Sequence, residues 1–239
     1  MFHFLRGTVW IVAVLSATCL SASDIEGTIV VHRRLSKKKV TASAGTYARG
    51  TSVELKNDAA PDPLAFERSR VVIYVEGNLP AGAVPISTEM KQVGRQFLPD
   101  TLVIPAGSTV SFPNMDPIFH NVFSLSKPKS FDLGNYPKNQ TRTVTFLKPG
   151  VVFTHCHLHP NMAAAIVVTP NGFSTQADEA GKFFLKKLPP GHYTLVAWHK
   201  TAGFFRQSVE VKDGQTVSVQ FLIPLDALPA NDNKTLAEK

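Results

Sequence analysis

From Asp24 onward the apolar residues come in short runs rich in Val, Ile, Phe and Thr, and no segment holds a helical period for long. The runs cover residues 27–32, 70–75, 101–104, 108–112, 141–146, 151–154, 165–169, 182–185, 192–198, 208–211 and 216–221. Several alternate apolar with polar positions, as strands with one buried face do. Turn signals fall between them: Pro105-Ala106-Gly107, Pro149-Gly150, Pro189-Pro190-Gly191 and Asp213-Gly214. The pattern predicts an all-β protein built from sandwiches. Residues 33–49 are basic and polar and read as a loop, and residues 227–239 read as a flexible tail.

Composition narrows this picture. Of 239 residues, 44% are hydrophobic and 18% charged, which excludes a disordered chain and allows one large domain or two ordinary ones. The net charge is +7, but Lys and Arg are scattered, so no nucleic-acid partner is expected. Residues 1–23 read as a signal peptide: Arg6, an uncharged apolar run over 8–20, then Ser21-Ala22-Ser23, with cleavage before Asp24. The run is shorter than the roughly 20 residues that span a bilayer, so no membrane association is expected after cleavage. A lipid anchor on Cys19 is disfavoured by Ser16 three residues before it. The mature chain is then periplasmic. Of its two cysteines it keeps Cys156, which excludes a disulfide framework. An unpaired cysteine in an oxidising compartment is buried and inert, paired between chains, or held by a metal.

The neighbours of Cys156 point to metal. His159 and Met162 follow it in CHLHPNM, a Cys-x2-His-x2-Met spacing, and His120 arrives from another segment, PNMDPIFHNV. Two imidazoles, a thiolate and a weak axial thioether form the donor set of a type 1 copper site, and Met162 disfavours zinc, for which a thioether is a poor ligand. A strand would deliver Cys156 at its end, and a loop stiffened by Pro160 would turn His159 and Met162 back onto the same ion.

Over residues 88–170 the chain resembles the cupredoxins, with a ligand loop of the amicyanin and pseudoazurin length. The resemblance implies a Greek-key β-sandwich, copper ligation by His120, Cys156, His159 and Met162, and hydrogen bonds from Asn121 that pin the two ligand loops. His155 and His157 flank the cysteine, giving HCHLH, which is similar to the motif of multicopper oxidases. There several cupredoxin domains contribute and the next histidine lies further on, so here both are read as surface histidines without a second metal. The flanking-histidine arrangement of trimeric nitrite reductases likewise needs two such domains per chain.

Residues 173–199 resemble the transthyretin-type, carboxypeptidase-regulatory-like β-sandwich, through Leu188-Pro189-Pro190-Gly191-His192-Tyr193 and the alternating strand after it. The usual opening of that family stands near the N-terminus instead, as Ile25-Glu26-Gly27-Thr28-Ile29-Val30 and RVVIYVEG (70–77). Residues 24–87 and 171–226 are therefore expected to form one discontinuous sandwich with the copper domain, 88–170, inserted. The layout, with FDLG at 131–134, resembles bacterial periplasmic proteins called methylamine-utilisation-like or plastocyanin-like.

The expected function is one-electron transfer, with His159 as the electron port. Met115, Pro117, Ile118, Pro160 and Ala163 would form an apolar rim for a transient redox protein partner. With no nucleophile–base pair visible, the chain is not expected to be an enzyme. The alternative is periplasmic copper handling, as a buffer, chaperone or resistance protein, by the same ligands. An enzyme with an additional copper is disfavoured, and a structural or adhesion module is a further alternative. His199, after Trp198, is expected to be an exposed histidine at a strand end.

Overall fold

The computed structural model describes residues 22–33, 35, 62, 64–77, 79 and 84–223. Residues 1–21 of the leader expected over 1–23, most of the loop expected over 33–49 and the tail expected over 227–239 lie outside the described residues. Ser23, at the expected cleavage boundary, opens the first strand and its hydroxyl donates to the Lys212 carbonyl at 2.6 Å.

Seventeen strands and one short helix are described. In chain order they are β1 (Ser23–Val31), α1 (Ala65–Arg68), β2 (Val72–Glu76), β3 (Ser87–Glu89), β4 (Lys91–Val93), β5 (Gln96–Leu98), β6 (Thr101–Pro105), β7 (Ser108–Pro113), β8 (His120–Ser126) and β9 (Lys129–Tyr136). There follow β10 (Thr141–Phe146), β11 (Gly150–His155), β12 (Ala163–Thr169), β13 (Ser174–Gln176), β14 (Lys182–Leu188), β15 (Gly191–His199), β16 (Gly203–Val211) and β17 (Val217–Ile223). Among the described residues no helix is long and apolar enough to cross a membrane.

The strands pack as a stack of four sheets around three cores. The order β14-β1-β17 makes the first sheet and β13-β2-β15-β16 the second; β6-β12-β11-β8-β9 makes the third and β10-β7-β3 the fourth, with β4-β5 a separate hairpin. Strands from the two ends of the chain share the first two sheets: β1 runs parallel to β17, and β2 lies antiparallel to β15. Gly27 is required where β1 threads between its neighbours. A Cβ there would meet the Val219 carbonyl oxygen at 2.4 Å and the Phe183 ring at 2.3 Å.

The middle core explains the runs that do not alternate. In β2, Ile73 and Val75 face the first sheet while Val72 and Tyr74 face the third. In β15, Leu195 and Ala197 face the first sheet, and Val196 and Trp198 the third. In β12, Ala165 and Val167 meet those residues, while Ala164, Ile166 and Val168 join the core between the third and fourth sheets. A strand buried on both faces reads as a continuous apolar run. Each such side chain stabilises by about 1.5–3 kcal/mol relative to its exposed state.

His199 departs from the sequence reading. It is 1% exposed rather than at the surface, because α1 covers the turn between β15 and β16 and sets the buried Glu67 carboxylate 3.3 Å from His199 Nε2. The N–H groups of Thr201 and Ala202 donate to His199 Nδ1 at 3.2 and 3.3 Å, so the ring holds the turn and carries its proton at Nε2. Burial lowers the His199 pKa, with Glu67 opposing and Arg70 adding to the shift. The unfolded chain therefore takes up this proton first as pH falls. The stability the neutral ring contributes is present above about pH 6.5 and declines below it, by at most about 1.4 kcal/mol per pH unit. Urea unfolding from pH 8 to pH 5 is expected to show this slope, and His199→Gln is expected to flatten it.

Candidate metal centre

Strands β11 and β12 form an antiparallel hairpin in register from Gly150↔Val168 to His155↔Ala163. Its connecting loop holds Cys156, His159 and Met162, and the Met162 N–H closes the loop on the His159 carbonyl at 2.9 Å. His120 opens β8, opposite Tyr136 of β9. The register shifts between Asn121 and Phe123, an irregularity of the kind that re-aims a side chain beside a site.

These elements bring His120, Cys156 and His159 together, with one donor atom from each lying within 4.8 Å of the others. Cys156 Sγ is 3.6 Å from His159 Nδ1 and 4.0 Å from His120 Nδ1, and the two Nδ1 atoms are 3.1 Å apart. His120 is fully buried and His159 half-buried. Met162 is buried in the same core as Cys156.

The surrounding hydrogen bonds decide which atoms face inward. His120 Nε2 lies 2.8 Å from Asp116 Oδ2, so its proton goes to the carboxylate and Nδ1 presents a lone pair. Asp116 is fixed in turn by the N–H groups of Gly94 and Arg95, at 2.7 and 2.8 Å. Both residues have positive φ, the geometry of a two-residue hairpin turn between β4 and β5, and Gly94 adopts it without strain. Burial alone would raise the Asp116 carboxyl, but the bonds from Arg95, His120 and Gly94 outweigh it and hold it below the ordinary carboxylate value. Burial, then His120 and Arg95 nearby, lower the His159 pKa, with Asp116 opposing.

Asn121 ties the two ligand segments. Its backbone N–H donates to Cys156 Sγ at 3.4 Å, and its side-chain oxygen accepts from the His157 N–H at 3.4 Å. Its amide donates to Asp132 at 2.6 Å. The Gly134 N–H, then Asn121, hold the Asp132 carboxyl below its usual range. His157 stacks on Phe123 at 3.7 Å and its Nε2 lies 3.6 Å from Asp132. His155, paired with Phe123 across β11 and β8, lies 5.8 Å from the same ring, and its pKa is lowered by burial and then by Lys200. Neither joins the inward-facing trio.

Around the loop Met115, Phe119 and Leu158 are all about half exposed, with Pro117 and Pro160 also at the surface. Ile118 and Ala163, expected in this rim, are less exposed than these, and Phe119 and Leu158 join it instead. Two imidazoles and a cysteine sulfur turned on one another, His120 and Cys156 buried and His159 half-buried, fit copper, which accepts soft thiolate and imidazole in both oxidation states.

Comparison with known proteins places the chain beside copper proteins. Residues 169–219 match the family described as polysaccharide lyase family 4, domain II. The chain is 32% identical over 115 residues to amicyanin-alpha of Methylorubrum extorquens, a match covering 44% of this chain and 97% of that relative. Among solved structures it is similar to amicyanin from Paracoccus versutus, at 26% identity over 41% of this chain and 97% of that one, with a TM-score of 0.33. It is also similar to the Cu-containing nitrite reductase of Thermus scotoductus SA-01, at 28% identity and a TM-score of 0.33, covering 39% of this chain and 24% of the reductase. An amicyanin matched over nearly its whole length leaves more than half of this chain as an addition to it, and the chain belongs to the amicyanin family of cupredoxins, copper proteins of the electron-transfer type.

Proposed function

We propose that this protein is a periplasmic carrier of single electrons, with copper held by His120, Cys156, His159 and Met162. The buried convergence of two imidazole Nδ1 atoms on one sulfur carries this reading. When bound, copper supplies a one-electron couple between Cu(I) and Cu(II). The chain's own residues do the rest. Asp116 orients His120, and Asn121 holds Cys156 against the β8 end, so the donors keep their places and little rearranges on a change of charge. His159, the more exposed imidazole, brings the site to the surface inside a rim of Met115, Phe119, Leu158 and Pro160, a small apolar patch suited to a transient redox protein.

The proposal extends to organisation. Residues 24–87 and 171–226 form one discontinuous sandwich of the carboxypeptidase-regulatory-like type, with the copper domain of 88–170 inserted. The pairing of β1 with β17 and of β2 with β15 supports it. Export by the leader 1–23 suits an electron carrier that works outside the cytoplasm.

The visible spectrum of the copper-loaded protein tests the site, and an intense thiolate-to-copper band is expected. Reversible voltammetry is expected with it. Fast surrender of Cu(I) to a mild chelator, without a reversible wave, would instead favour copper handling. Met162→Leu is expected to keep the band and raise the potential, because the thioether it removes would favour Cu(II).

A further inference from the structure

A side chain of the second sandwich reaches the end of the ligand loop. Lys200 stands in the turn between β15 and β16, and its Nζ donates to the Ala163 carbonyl at 3.3 Å. Ala163 directly follows Met162, and its partner across the hairpin is His155, which directly precedes Cys156. The ammonium therefore sits at the end of the ladder from which both sulfur-bearing side chains depart.

The turn that carries Lys200 is fixed from behind. His199 Nδ1 accepts the N–H groups of Thr201 and Ala202, and the same ring is buried against Glu67 of α1. A second cation from this side, Arg70, pairs with Asp100 just before β6, and the Asp100 carbonyl accepts the Ala165 N–H at 3.0 Å. Between these two bridges lies a cleft of about 1050 Å³, lined by Pro160, Asn161 and Ala163 on one side and by Glu67 and His199 on the other. Lys200 crosses it.

We infer that Lys200 is a positioning residue for the copper site, through which the added sandwich holds the ligand loop and raises the reduction potential. The inference rests on the copper reading above. Its physics is elementary. Reduction lowers the positive charge of the site by one, so a fixed cation nearby favours the reduced form. Its hydrogen bond also anchors the carbonyl of the residue after Met162, which restrains the loop with or without metal.

The test compares the parent with Lys200→Gln, Lys200→Met and Lys200→Arg. The parent's spectrum is read first, and absence of the thiolate band there sinks the copper reading itself. Given the band, the two neutral variants are expected to keep it and to show a lower potential. The expected size is about a three- to tenfold shift toward the oxidised form at a fixed poise, tenfold being about 59 mV for one electron. Lys200→Arg is expected to restore most of it. In the metal-free protein, amides of residues 157–163 are expected to exchange several-fold faster in the neutral variants. A parent-like potential in folded Lys200→Gln or Lys200→Met overturns the inference. Should neither fold, Lys200→Ala is read in their place, and an unchanged potential in that variant overturns it equally.

Discussion

Replacing Cys156 with serine is expected to abolish the visible band of the copper-loaded protein while leaving the fold intact. The sulfur is the one soft, electron-rich donor among the three converging atoms, and the band arises from transfer of its charge to the metal. A serine hydroxyl is nearly isosteric, but it neither ionises at neutral pH nor binds Cu(I) well. Copper affinity is expected to drop by more than the roughly 10–100-fold that loss of an outer hydrogen-bond partner costs a metal site. Folding is spared because Cys156 makes a single backbone hydrogen bond, from Asn121, which an oxygen can also accept. Absorption and circular dichroism on the same sample separate the two effects. A Cys156→Ser protein that stayed coloured would remove the thiolate from the site and the electron-transfer proposal with it.

The parts of this site that a reader can find in the sequence are those fixed by loop length. Cys156, His159 and Met162 fall within seven residues, so their spacing alone confines them to one loop. His120 was legible through the strand and asparagine around it. Asp116 was not, although it stands four residues before His120, because its role depends on the β4–β5 turn offering two N–H groups to it. That hairpin is too short to leave a periodic trace. Strands β8 and β9 also escaped, since HNVFSLS and KSFDLGNY mix polar and apolar residues without clean alternation near a bulge and a site. The apolar runs of β2, β12 and β15 were recognised as strands, but nothing in one strand says that its second face meets another sheet. The same gap misplaced His199, whose burial comes from a helix in a distant segment.

Trp198→Ala is expected to destabilise the whole molecule, with the copper site melting in the same transition as the added sandwich. Trp198 belongs to β15 but lies in the middle core with Ala165 and Val167 of β12, its ring 6.4 Å from Phe153 of β11 and 6.4 Å from Phe204 of β16. Removing a buried indole costs about 3–5 kcal/mol in lost transfer energy and unfilled space. For a chain of this size that lowers the melting temperature by on the order of 10 °C. The loss does not stay on one side. Strand β12 is packed on both faces, and its first residue, Ala163, follows Met162, so support withdrawn from Ala165 and Val167 loosens the strand that ends the ligand loop. Thermal bleaching of the copper band and loss of the β-sheet signal should therefore shift together, and Trp198→Phe should recover part of the shift. If bleaching kept its parent temperature while the sheet signal split into two steps, the sandwiches would be independent bodies, and the middle core would not carry stability between them.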